Sequence, residues 1–245
     1  QGDYEKAEPL YIKAIAIRAK SLGKEHPDYA QTLNNLAGLY NILGNFEKAE
    51  TLYLEAKEIR AKILGEDSPQ YAASLNNLAN LYQSKGDYDK AESMHLQAIA
   101  IRGKTLGKEH PDYAASLHNL ANLYRVIGDY EKAELANFEA TTIWVKALGK
   151  EHPFYAASLN SLATIYFLKK DYNKAEPLYL EAIEIEKHKL IKEHPDYAMS
   201  LNNLASLYQS TGEYKKAEPL HLEAMKIRAK TLGKEHPDYV ISLNN

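Results

Sequence analysis

Residues 74–82 read Ser74-Leu75-Asn76-Asn77-Leu78-Ala79-Asn80-Leu81-Tyr82. Leu75, Leu78, Ala79 and Tyr82 are three or four positions apart, the spacing of one apolar helix face. Three asparagines stand among them, although an asparagine amide competes for nearby backbone groups and disfavours a helix interior. Nearly the same phrase returns at Leu33-Asn34-Asn35-Leu36-Ala37, Leu159-Asn160-Ser161-Leu162-Ala163 and Leu201-Asn202-Asn203-Leu204-Ala205. A residue that weakens helices, placed at the same point of one helix after another, is expected to serve some other purpose.

The recurrence has a fixed period. His-Pro or Ser-Pro begins at 26, 68, 110, 152, 194 and 236, each 42 residues after the last. Ala-Glu keeps the same register at 7, 49, 91, 133, 175 and 217, and Gly-Asn/Asp-aromatic at 44–46, 86–88 and 128–130. No linker or low-complexity stretch interrupts the register, which predicts one array over residues 1–245.

Each period reads as two helices. Pro27 suits the first turn of a helix, where its missing N–H does no harm, and Ser68 is a good cap at the residue before. Leu33, Leu36, Ala37 and Tyr40 form an apolar face that Gly44 closes. Asn45 or Asp87 opens a second helix striped by Ala49, Leu52, Tyr53, Ala56 and Ile59, and Gly65 ends it. Helix A is thus predicted over about 28–43 and helix B over 46–64. The pattern contains no strand, and the short loops make neighbouring helices antiparallel. One such pair cannot bury its own faces, so the pairs must stack into an all-α solenoid. Helix pairs are expected at 28–64, 70–106, 112–148, 154–190 and 196–232. Residues 1–22 read as a B helix without its A partner, and 238–245 as the start of an A helix. Leu10, Ile15, Ile17 and Leu243 would then be partly uncovered, which favours end-to-end self-association.

Composition bounds the function. The formal net charge of -3 gives no global field suited to nucleic acid or an anionic membrane. No apolar run approaches the ~18 residues needed to span a bilayer. Zero cysteines exclude disulfides and thiolate metal sites and fit a reducing, cytoplasmic compartment.

Leu33, Leu36-Ala37, Tyr40, Gly44, Ala49, Tyr53 and Ala56 fall on a known skeleton, and the chain resembles a tetratricopeptide repeat (TPR) array. The long helix B, as in Ile99-Ala100-Ile101-Arg102-Gly103-Lys104-Thr105-Leu106-Gly107-Lys108-Glu109-His110-Pro111, is similar to the kinesin-light-chain type. The resemblance covers essentially the whole chain. It implies a right-handed superhelix whose concave groove is lined by the A helices. It implies no motor role, because it includes no heptad segment.

On a helical wheel Leu33, Leu36, Ala37 and Tyr40 occupy one side, and Asn34, Asn35, Gly38, Asn41 and Gln31 the other. Under the resemblance that second side is the groove wall. Its later rungs are Asn76, Asn77, Asn80 and Gln83; His118, Asn119, Asn122 and Arg125; Asn160, Ser161, Thr164 and Phe167; and Asn202, Asn203, Ser206 and Gln209. An amide both donates and accepts, so such a ladder suits the main chain of an extended peptide. Two other readings stand beside this one. One asparagine of each pair could instead bond across to the next repeat and lock the stack, or the face could simply be solvated. These positions avoid Lys and Glu, which counts against solvation.

Departures from the repeat cluster in the third and fourth copies. His118 stands where the other copies have asparagine, and Trp144 and Glu186 where others have Arg18, Arg60, Arg102 and Arg228. Lys170 and Ile191 replace helix-closing glycines. A specialised central groove and drift in a tolerant array are both open. The groove lacks a lysine–arginine cluster, against a carboxylate clamp. Gly103-Lys104-Thr105 resembles the end of a phosphate loop, but Ala98 occupies the first glycine position. The histidines at 26, 110, 152, 194 and 236 recur once per repeat before proline, as turn residues rather than metal ligands. No catalytic constellation or cofactor is expected. The sequence points to a scaffold for a peptide or partner protein; the alternative is a structural spacer or self-associating array that positions other domains.

Overall fold

The computed structural model describes residues 4–189 and 194–231. Ile191, residues 238–245 and Leu243 lie outside them. Among the described residues there are eleven helices and no strand: α1 (Tyr4–Ser21), α2 (Pro27–Ile42), α3 (Phe46–Leu64), α4 (Pro69–Lys85), α5 (Tyr88–Thr105), α6 (Pro111–Ile127), α7 (Tyr130–Leu148), α8 (Pro153–Leu168), α9 (Tyr172–Lys189), α10 (Pro195–Ser210) and α11 (Tyr214–Thr231). None is long and apolar enough to cross a membrane. The chain divides between Gly128 and Asp129 into two units, α1–α6 and α7–α11.

The helix ends have local causes. His26, His110, His152 and His194 cap the A helices: each Nδ1 accepts the backbone N–H two residues on, at 3.1–3.2 Å. Ser68 does the same work through Oγ, accepting from Tyr71 N–H at 3.2 Å. The His-Pro turn is therefore a helix cap with Nδ1 unprotonated. At the other end Gly86 and Gly128 take the left-handed conformation. Where the sequence departs, Lys170 is forced into it, with φ +62°. Its N–H still bonds Phe167 O and the next N–H bonds Tyr166 O, both at 2.9 Å, so the closing turn survives the missing glycine.

Within each unit every helix packs on its neighbours in sequence. Alanines line the helix contacts: Ala30, Ala37, Ala49 and Ala56 are fully buried, and their counterparts in later repeats are buried too. Tyr29, Ala30, Leu33 and Ala56 form one cluster with Ile15 and Ile59 packed on it. Tyr197, Ala198, Leu201, Ala224 and Ile227 repeat the pattern in the second unit. Polar staples join successive repeats. The Tyr40, Tyr82, Tyr166 and Tyr208 hydroxyls donate to Glu8, Glu50, Glu134 and Glu176 at 2.6–2.7 Å. The carboxylate bond and burial push the Tyr40 hydroxyl up to about 12.

Candidate functional site

The asparagines of the A helices separate into two sets. Asn76 and Asn160 are each 4% exposed. The expectation that they line an open wall fails, because their amides are spent inside the stack. Ser116 Oγ accepts from Arg102 at 2.9 Å and donates to Asp112 O at 3.4 Å. It can therefore only accept from Asn76, whose Nδ2 lies 2.8 Å away. That orientation turns Asn76 Oδ1 to His95 Nδ1, also at 2.8 Å. His95 must then carry its proton on Nδ1. Its ring is completely buried, and burial pushes its pKa down to about 4.

The same locking recurs between neighbouring A helices. Asn77 Nδ2 donates to Asn34 Oδ1 at 2.7 Å, one repeat back, and Asn203 Nδ2 to Asn160 Oδ1 at 3.2 Å. Asn202 Oδ1 faces His221 Nδ1 at 3.1 Å, as Asn76 faces His95. Five of the asparagines expected to hold a ligand (Asn34, Asn76, Asn77, Asn160 and Asn203) thus bond between successive repeats.

A second set remains on the surface. Asn35 and Asn80 are exposed; Asn35 accepts from Gln31 one turn earlier at 2.8 Å. Gln83, His118, Asn119, Asn122 and Arg125 are half-buried. Phe167 is half-buried too, stacked 5.9 Å from Tyr172 and packed on the core below. In the first unit α4 and α6 therefore present amides, one imidazole and one guanidinium. Among the described residues, no group of three or more His, Cys, Asp or Glu side chains could hold a metal.

Helix B supplies partners that the sequence reading missed. Arg60 Nη1 donates to Gln70 O at 3.3 Å and Ser74 Oγ at 2.7 Å, and Nη2 to Gln31 at 2.8 Å. Arg102 and Arg18 make the corresponding bonds to the next A helix. The available signal was a serine or threonine at 32, 74, 116, 158 and 200, a hydroxyl kept on a buried face. The departures at this position are buried as well. Trp144 stacks 5.3 Å from Phe154, which stands where Asp112 stands one repeat earlier. Asn137, in the His95 position, donates to Ser158 O at 2.9 Å.

The tetratricopeptide repeat family model matches residues 1–56, 30–104, 75–137 and 139–187, and a second model of that description matches 198–238. No curated protein matches the sequence. Among solved structures, BtubC (BKLC) from P. vanneervenii is similar, with 25% identity and TM-score 0.73 over 97% of this chain and 95% of that one. A kinesin light chain structure from Podosopora anserina, with nearly identical TPR-like repeats, is 33% identical with TM-score 0.63, covering 84% of this chain and 98% of its own. A substituted form of it is 32% identical with TM-score 0.65, over 84% and 97%. Repeats of this family mediate protein–protein interaction and are typically non-catalytic. The fold is an all-α repeat solenoid, and the chain belongs to the tetratricopeptide repeat family in its kinesin-light-chain-like form.

Proposed function

We propose that the chain is a non-catalytic scaffold that binds an extended peptide segment of a partner protein along its A helices. The observation that carries this is the division among the amides. Asn76 and Asn160 are buried and Asn34, Asn77 and Asn203 are bonded between repeats, yet the A helices also keep Asn35 and Asn80 exposed and Asn119 half-buried, where an asparagine in mid-helix only weakens the helix. His118, Asn122 and Arg125 extend that surface on α6. A peptide main chain satisfies such groups without regard to its own side chains. Peptides selected against the whole chain from a random library should lose about 0.5–1.5 kcal/mol of affinity per bond in Asn80→Ala and Asn119→Ala. Selected peptides indifferent to both substitutions would overturn the assignment.

A second reading has the array associate with copies of itself. Leu135 and Phe138 favour it, being 72% and 64% exposed on α7. Sedimentation of the chain over a wide concentration range decides between a self-associating array and a monomeric one.

A further inference from the structure

At the position where Arg18, Arg60 and Arg102 staple one repeat to the next, α9 carries Glu186. It is 2% exposed. In the corresponding place ahead of it, α10 offers Asp196 and Ser200, the counterparts of the groups that accept from Arg102. A carboxylate cannot donate to such acceptors; a carboxylic acid can. Glu186 Oε2 and Ser200 Oγ are both buried without a hydrogen-bond partner. We propose that α9 and α10 form a proton-operated joint, closed when the Glu186 carboxyl is protonated and loosened when it ionises.

The surroundings offer the anion little. From α10, the Asp196 carboxylate opposes ionisation. The Tyr197 hydroxyl on the same helix is committed to Glu223 of α11 at 3.2 Å, and Glu184 and Glu223 add further negative charge around it. From α8, the register position that Gln31 holds for Arg60 is filled by Ala157, which is neutral. Among the described residues no lysine or arginine compensates Glu186. Burial, the largest influence, raises its pKa to about 7; the nearby Ser200 hydroxyl opposes the rise, and Asp196 adds to it.

The sign follows from linkage. The folded carboxyl holds its proton where the unfolded one has released it, so its stabilising contribution is complete below the ordinary value of 4.5. It is lost as the pH rises through about 7. Between pH 5 and 8 the opening constant of the joint should rise on the order of a hundredfold.

Two measurements on the whole chain test this. The first is an NMR titration of the Glu186 side-chain carboxyl. The second is amide hydrogen exchange across α10 from pH 5 to 8, corrected for intrinsic rates and compared with Glu186→Gln. Taking the difference between the two proteins cancels His194, Asp196 and every other shared titration. The expected result is a carboxyl midpoint near 7 and α10 protection that falls with pH only where Glu186 is present. A midpoint near 4.5, or the same pH profile in both proteins, overturns the proposal. If Glu186→Gln does not fold, the carboxyl titration of the unsubstituted chain decides alone.

Discussion

Replacing Asn76 by alanine separates architecture from recognition in a single measurement. The Asn76 amide bonds Ser116 and His95 inside the stack. Ser116 keeps Arg102 and Asp112 O when the amide goes, so it loses about 0.5–1.5 kcal/mol with its bond. His95 fares worse, since its Nδ1–H keeps no acceptor in a fully buried site, at about 1–3 kcal/mol for a stranded donor. Alanine returns about 0.6 kcal/mol through its better helix propensity. The net destabilisation should be about 1–4 kcal/mol, read from urea denaturation at pH 7 with the slope unchanged. Asn80 is the control: it lies on the same helix and is exposed, so Asn80→Ala should leave stability unchanged or raised by a few tenths of a kcal/mol. If Asn76→Ala is no more disruptive than Asn80→Ala, the buried network contributes nothing and the division of the asparagines into two sets is mistaken.

Buried neutral His95 should also make the chain acid-sensitive. With its pKa lowered to about 4 by burial, its contribution is complete above the ordinary value of ~6.5 and is lost as pH falls towards 4, by about 2 kcal/mol at pH 5. Replacing it with tyrosine, the residue at 53 and 179, should remove that part of the pH dependence of denaturation. Lys170→Gly should raise stability by about 1 kcal/mol by relieving a left-handed lysine, visible as a higher urea midpoint; an unchanged midpoint would mean the turn is unstrained. His110→Ala should cost about 1 kcal/mol for the lost cap and His110→Ser should recover it, whereas equal losses from both would point to a role for the ring itself.

Period, helix ends and apolar face were all readable from the sequence because each depends on residues close in the chain. Pro27 and Gly44 mark the limits of α2, and the Leu33–Tyr40 pattern fixes which face is buried. Even Lys170 was recognisable, since the register names the residue that has to adopt a positive φ. The asparagines were not resolved in this way. A wheel places Asn76 and Asn80 on the same polar side, but 100° per residue says nothing of how near the next helix comes. What buries Asn76 is Ser116, 40 residues on, together with His95 on the following helix. Within one repeat's sequence, a locking amide and an exposed one look alike. The useful signal lay in pairs of columns taken together: a serine or threonine at 32, 74 and 116 opposite an arginine at 18, 60 and 102.

The same pairing of columns gives the departures their meaning. In a stacked array, stability is close to a sum of repeats and nearest-neighbour interfaces, so each junction is free to solve its contacts separately. Arg102 satisfies its junction with charge-assisted hydrogen bonds to a carbonyl and a hydroxyl. Trp144 comes with Phe154 in place of Asp112, so both sides of that junction turned aromatic and neither leaves a charge stranded. Glu186 comes with Asp196 still in place, so only one side changed, and it changed sign. Drift in a tolerant position would be expected to move to a neutral or apolar residue, since an unpaired buried carboxylate is among the costlier groups a junction can hold. With the acid and its acidic neighbour both kept, this junction is where a rise in pH through about 7 should act first, whereas the junction that holds His95 should respond only as the pH falls towards 4.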